Sequence, residues 1–177
     1  MKICPKKYSG KSNIVMVGMP GAGKSTIGVL LAKETSFDFL DVDVYIQGQE
    51  HRRLQEIIDL EGIDVFKGLE EKYLCQIDVD GVVVSTGGSA IYSQKGISAL
   101  SQKGLVIFLK INMQTLEERL GDFSTRGVVI APGQTFEDLF AERNKLYSEA
   151  ADLVIECDGK TQDELVDEIV ARVFIGK

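Results

Sequence analysis

Residues 18–25 read Gly18-Met19-Pro20-Gly21-Ala22-Gly23-Lys24-Ser25, a complete G-x-x-x-x-G-K-[ST] loop. The apolar run Ile14-Val15-Met16-Val17 precedes it, and a helix-like stretch from Thr26 to Lys33 follows. Such a loop wraps a polyphosphate only when a strand delivers it and a helix N-terminus closes it, so the flanks matter as much as the pattern. Its glycines leave the backbone free to turn successive N–H groups inward, toward phosphate oxygens. Lys24 adds a mobile charge over the β- and γ-phosphates. Ser25 offers a hydroxyl to Mg²⁺, which takes oxygen ligands and keeps several waters. The expected nucleotide-binding set is therefore Gly21, Ala22, Gly23, Lys24, Ser25 and Thr26. The loop implies ATP or GTP as donor and is silent on the acceptor.

Outward from the loop, short apolar runs alternate with helical periodicity. Strands are expected near residues 13–18, 37–41, 82–86, 104–109 and 152–156, several of them continuous apolar runs suited to burial on both faces. Helices are expected over about 23–35, 52–59 and 62–78. After Thr135, Leu139, Phe140, Leu146, Tyr147 and Ala150 share one broad apolar face. Thr161-x-x-Glu164 is a capping box that opens a last helix burying Leu165, Val166, Ile169, Val170 and Val173. The alternation implies an α/β chain, a parallel sheet between helical layers joined by right-handed crossovers. Residues 121–135 break the pattern with Gly121, Gly127, Pro132 and Gly133 and no periodicity. A long irregular connection of this kind reads as a lid over the phosphates.

The 177 residues suit one domain, 1–177, with a sizeable core. A net charge of −7 without a basic run argues against nucleic-acid binding. The longest apolar stretch, Leu105 to Leu109, is far short of a membrane span. The first seven residues lack the apolar core of a signal peptide, so the expected compartment is the cytoplasm. Cys4, Cys75 and Cys157 are odd in number and widely spaced, and His51 is the sole histidine, which makes a zinc site improbable. The expected partner is a small-molecule substrate, with no nucleic acid or membrane, and the expected state is a monomer.

Three further groups suggest an acceptor side. Asp41 and Asp43 close the second strand, and in extended backbone residues two apart face the same side. Two carboxylates at the carboxyl edge of the sheet, where ligands gather, can hold Mg²⁺ waters and accept a hydroxyl proton. Gly87 and Gly88 follow the apolar run Val82-Val83-Val84 and permit close approach of backbone to a ligand, although an ordinary turn reads the same way. Arg119, Arg126 and Arg143 flank or occupy the lid segment, where an arginine could stabilise charge on a transferred phosphoryl group.

Taken together, these residues resemble the shikimate kinases, a family of nucleoside-monophosphate-kinase-like phosphate-loop proteins. The resemblance runs from Ile14 to about Ile169. It rests on the loop, on a D-x-D matched by Asp41-Val42-Asp43, and on F-R-x-x-E matched by Phe66-Lys67-Gly68-Leu69-Glu70 in all fixed positions but one. Gly87-Gly88-Ser89 corresponds to a glycine triplet, and Arg143, Tyr147, Glu149, Ala151 and Asp152 match R-x-x-x-Y-x-E-x-A-D. The resemblance implies a three-layer αβα fold of the P-loop NTPase type, with a five-stranded parallel sheet, a substrate-binding helical segment over about 43–80 and a lid. It implies ATP and Mg²⁺, with Asp43 as base and substrate contact and Asp41 orienting water on the metal beside Ser25. By the same resemblance Arg119 lies on the adenine side and Arg126 serves phosphate and substrate, while Lys24 and Arg126 stabilise charge as the phosphoryl group moves. Lys67, Gly87, Gly88 and Arg143 would complete the substrate site, with Arg143 on the substrate carboxylate.

The departures cluster at the acceptor. Lys67 stands where the family has an arginine, and a lysine offers a compact charge in place of a bidentate fork. Ser89 replaces the third glycine, and Arg126-Gly127 replaces Arg-Pro. The leading expectation is an ATP-dependent kinase that phosphorylates shikimate to shikimate 3-phosphate. The alternatives are a kinase of another small hydroxyl metabolite such as homoserine, or a nucleotide-binding regulatory protein without transferase activity.

Overall fold

Continuous apolar runs become the strands of a parallel sheet because both faces are covered by helices. The computed structural model describes residues 10–120 and 133–174. Strands β1 (Asn13–Val17), β2 (Asp38–Asp41), β3 (Val82–Ser85), β4 (Gly104–Lys110) and β5 (Leu153–Glu156) pair in the order β2-β3-β1-β4-β5, every pair parallel. All five residues of the central strand β1 are buried, and Ile14 lies in register with both Val83 and Leu105.

The helices are α1 (Lys24–Thr35), α2 (Val42–Glu50), α3 (Leu54–Glu61), α4 (Ile63–Gln76), α5 (Gln94–Lys103), α6 (Met113–Leu120), α7 (Phe136–Ala150) and α8 (Gln162–Val173). Helices α1 and α8 pack together, as do α4 and α5. Right-handed crossovers place these two pairs on opposite faces of the sheet, because β1 to β2 runs one way along it and β2 to β3 to β4 runs the other. The connections leaving the neighbouring strands β1 and β3 run in opposite directions, so a crevice opens at their carboxyl ends. The loops after β1, β2 and β3 all lie at that edge. No helix among the described residues is long and apolar enough to cross a membrane.

The five expected strands and the helices begun after Gly23, near residues 52 and 62, after Thr135 and after Thr161 are all present. The expected capping box of Thr161 with Glu164 forms, and Thr135 with Asp138 makes another that the sequence reading did not name. Helix α2 falls in the helical segment that the resemblance places over about 43–80, whereas α5 and α6 were not anticipated. The α2 stretch Val42-Asp43-Val44-Tyr45-Ile46 alternates and is rich in β-formers, yet its cap turns it into a helix. Helix α5 runs through Gly96, whose absent side chain admits α4: a Cβ there would lie 2.7 Å from Leu74 Cδ1. Helix α6 is short and strongly polar. Most of the expected lid lies outside the described residues, including Gly121, Arg126, Gly127 and Pro132.

Candidate active site

The turn after β1 is shaped by three glycines with φ of 147° at Gly18, 81° at Gly21 and 97° at Gly23. At Gly18 the requirement is also steric, since a Cβ would lie 2.8 Å from the Leu109 carbonyl oxygen. Gly23 caps α1 in the left-handed region, no side chain caps the helix, and no acidic residue occupies its first turn. The positive end of α1 is thus left to an external anion. Lys24 is 8% exposed, and its ammonium donates to the carbonyls of Gly18 at 2.8 Å and Met19 at 3.0 Å. Burial lowers its pKa to about 8, against the opposing pull of Asp43 and Asp41. Ser25 and Thr26 are exposed at the opening of the helix.

Asp41 ends β2 and caps α2. Its Oδ1 accepts from the N–H of Asp43 at 3.0 Å and of Val44 at 3.2 Å. This corrects the expectation of an extended Asp41–Asp43 segment with both carboxylates side by side. A carboxylate that captures the N–H groups two and three residues onward ends the strand and starts the helix. Asp43 therefore sits in the first turn of α2. The other oxygen of Asp41 accepts from the Ser25 hydroxyl at 2.6 Å, and Ser25 Oγ lies 3.2 Å from Ser85 Oγ.

Asp43 faces the loop after β3. A Cβ at Gly87 would lie 2.7 Å from Asp43 Oδ1 and 2.7 Å from Glu70 Oε1, so both carboxylates converge on a position only glycine can occupy. Burial raises the pKa of Asp43, with a further push from Asp41 that Lys24 partly offsets. Glu70 is 2% exposed; its Oε2 accepts from the Ser89 hydroxyl at 2.8 Å, while Oε1 has no hydrogen-bond partner. Burial raises its pKa to about 7, against the Ser89 hydrogen bond. Gly88 is held from both sides. The Tyr147 hydroxyl donates to its carbonyl at 2.7 Å, and a Cβ there would lie 2.7 Å from Pro20 Cδ.

Arg143 projects from α7, 5% exposed, and its Nε donates to the Tyr92 hydroxyl at 3.4 Å. Lys67 is exposed on α4, its ammonium 5.8 Å from the centre of the same ring.

These groups line one open cleft of about 1420 Å³. It brings together Gly21, Gly23, Lys24, Ser25 and Thr26 from the loop with Asp43, Lys67, Gly87, Gly88 and Arg143. Ala22 is fully buried, with its N–H bonded to the Met19 carbonyl at 3.1 Å, and does not line the cleft. Arg119 is exposed on the last turn of α6, also outside it. Arg126 lies outside the described residues.

The cleft also contains Gln47, Arg53, Ile58, Tyr92 and Glu142, none of which sequence reasoning singled out. Tyr92 sits in a 3₁₀ turn, Ala90–Tyr92, three residues after Ser89, and no motif marks it. Among the described residues no cluster of three His, Cys, Asp or Glu side chains could hold a metal. The Ser25–Asp41 pair instead presents hard oxygen donors beside the phosphate loop, the chemistry Mg²⁺ prefers when it shares its coordination with water and phosphate.

The shikimate kinase family model matches residues 20–174. The chain is 37% identical over 164 residues to the shikimate kinase of Haemophilus influenzae strain PittEE, covering 90% of this chain and 91% of the relative. Among solved structures, shikimate kinase from Acinetobacter baumannii in complex with shikimate superposes with a TM-score of 0.82 at 30% identity, over 93% of this chain and 94% of the other. Shikimate kinase from Aquifex aeolicus superposes with a TM-score of 0.78 at 30% identity, over 90% and 95% of the two chains.

Proposed function

Because the chain belongs to the shikimate kinase family, we propose that it transfers the γ-phosphoryl group of ATP to a hydroxyl of shikimate. The observation that carries the reading is the convergence of Asp43 on Gly87 within a cleft that also holds Lys24 and Arg143. A nucleotide-binding regulator has no need of a half-buried carboxylate opposite a phosphate loop.

The triphosphate binds at the open N-terminus of α1, against the N–H groups of residues 23–26. Lys24 exchanges its bonds to the Gly18 and Met19 carbonyls for phosphate oxygens. Phosphate charge also raises its depressed pKa, so the ammonium stays protonated in use. Ser25 and Asp41 are the residues that would hold Mg²⁺, directly or through water. When bound, the ion neutralises charge on the β- and γ-phosphates.

Asp43 orients the attacking hydroxyl and takes its proton. The hydroxyl oxygen bonds to the γ-phosphorus, the bond to the β,γ-bridging oxygen breaks, and ADP leaves. Arg143 and Lys67 supply positive charge for the substrate carboxylate, and the glycines at 87 and 88 let the acceptor ring approach the backbone. Arg126 is assigned to charge developing on the transferred group.

The test is a phosphorylation panel containing shikimate and homoserine, with product identified by mass spectrometry. Shikimate 3-phosphate formation is the expected result. Fast turnover of another alcohol with none of shikimate would transfer the reading to that acceptor. Tight ATP binding with no acceptor phosphorylated would favour a regulatory role.

A further inference from the structure

Tyr92 is flanked by both cations of the acceptor side. Arg143 places its guanidinium carbon 5.3 Å from the ring centre and donates from Nε to the hydroxyl at 3.4 Å. Lys67 holds its ammonium 5.8 Å from the same ring centre. A Lys67–Glu70 pair, three residues apart on α4, would be the obvious alternative for this lysine. Glu70 instead accepts from the Ser89 hydroxyl at Oε2, 2.8 Å away, and its Oε1 is buried without a hydrogen-bond partner, whereas Lys67 is exposed. The Tyr92 ring is the group the lysine's ammonium lies over.

The geometry points to Tyr92 as a specificity-determining positioning residue, one that holds Lys67 and Arg143 as a two-cation clamp for the acceptor's carboxylate. This rests on the acceptor reading given above. A lysine by itself is a mobile point charge that cannot imitate the rigid fork of an arginine. An aromatic face limits where its ammonium rests, through attraction to the ring's negative π-surface. Tyr92 also restrains Arg143 by accepting its Nε–H. One ring thereby couples two charges that come from different helices, α4 and α7. Arg143 supplies a directed hydrogen-bonding edge and Lys67 a second charge, so together they recognise a planar carboxylate where neither residue does so alone.

The experiment compares steady-state kinetics of Tyr92→Leu, Tyr92→Phe, Lys67→Ala and the Tyr92→Leu/Lys67→Ala double variant, with shikimate and with its methyl ester as acceptors. Tyr92→Leu should raise KM for shikimate about tenfold, lower kcat no more than about twofold and leave KM for ATP in place. Tyr92→Phe keeps the ring but loses the Arg143 hydrogen bond, and should raise that KM by about threefold or less. In the Lys67→Ala background the effect of Tyr92→Leu should shrink to about threefold, because one of the two charges it positions is already gone. With the uncharged ester the effect should disappear.

Independent, multiplicative effects of the two substitutions would overturn the assignment, as would an equal effect on acid and ester. A fall in kcat together with a raised KM for ATP would reduce Tyr92 to a structural role and overturn it as well. Failure of the wild-type chain to phosphorylate shikimate would overturn the acceptor reading itself. A wild-type chain that phosphorylates shikimate, with a KM that ignores Tyr92→Leu, overturns the Tyr92 assignment alone.

Discussion

The Ser89 hydroxyl donates to Glu70 Oε2 at 2.8 Å and leaves Oε1 buried without a partner. A carboxylate half-satisfied in this way is costly when ionised, and burial accordingly raises its pKa from 4.5 to about 7. In the unfolded chain the group ionises first as pH rises; in the folded chain it holds its proton longer. Stability is therefore greatest below pH 4.5 for this group and declines as pH climbs to about 7. The size of the decline is about 3 kcal/mol. Glu70→Gln keeps an acceptor for Ser89 and removes the titration. Urea denaturation should find the variant more stable by about 2–3 kcal/mol at pH 8 and equal to the wild type near pH 4. Parallel pH profiles for the two proteins would show that ionised Glu70 carries no such penalty.

Asp43 has the position of a base, so Asp43→Asn should lower kcat by about 10²–10⁴. ATP binding should persist, because the phosphate loop is untouched. The wild-type rate should fall on the acid side as Asp43 takes up a proton. Since burial raises its pKa, that limb should lie above the ordinary aspartate value of 3.8. Single-turnover rates across pH, beside nucleotide titrations, read both effects. A kcat in Asp43→Asn within a factor of a few of wild type would remove Asp43 from the chemistry.

Gly87→Ala tests how closely the two carboxylates are packed. The added methyl would sit 2.7 Å from both Asp43 Oδ1 and Glu70 Oε1, inside any normal contact distance. One carboxylate must move, at a cost of about 1–3 kcal/mol in stability. Activity should fall by about 10²-fold, a scale set by angstrom-level misplacement of a reacting group. Thermal denaturation and kcat measured on one preparation separate the two losses. Undiminished kcat would mean that Asp43 works from some other position.

Lys67→Arg restores a planar fork on α4. For a carboxylate-bearing acceptor, KM should drop by about five- to tenfold, since two parallel N–H bonds replace one mobile point charge. For an acceptor without a carboxylate, KM should be indifferent or worse. Paired measurements on shikimate and its methyl ester decide between them by the ratio of kcat/KM.

Local patterns made much of this molecule legible. Three glycines, a lysine and a serine between an apolar run and a helical stretch define a phosphate loop with little help from distant residues. Continuous runs such as Val82-Val83-Val84 announce strands buried on both faces, and Thr161 with Glu164 announces a helix start. Reading failed where a single contact overrides the local pattern. Val42 to Ile46 alternates like a strand, but the Asp41 carboxylate captures two N–H groups and the chain turns helical. Gly96 looks like a breaker, yet it lies within α5 because Leu74 packs against its α-carbon.

The sequence by itself determined the donor side, the strand-and-helix alternation and the identity of the carboxylates, because those depend on residues close together in the chain. Only the tertiary structure brought the acceptor-side residues together. Glu70 and Ser89 are 19 positions apart, and Arg143 and Tyr92 are 51 apart. Their meeting depends on the order in which parallel strands are laid down and on how α4 and α7 close over the edge of the sheet. No spacing rule in the chain encodes that closeness; it exists only once the core has packed.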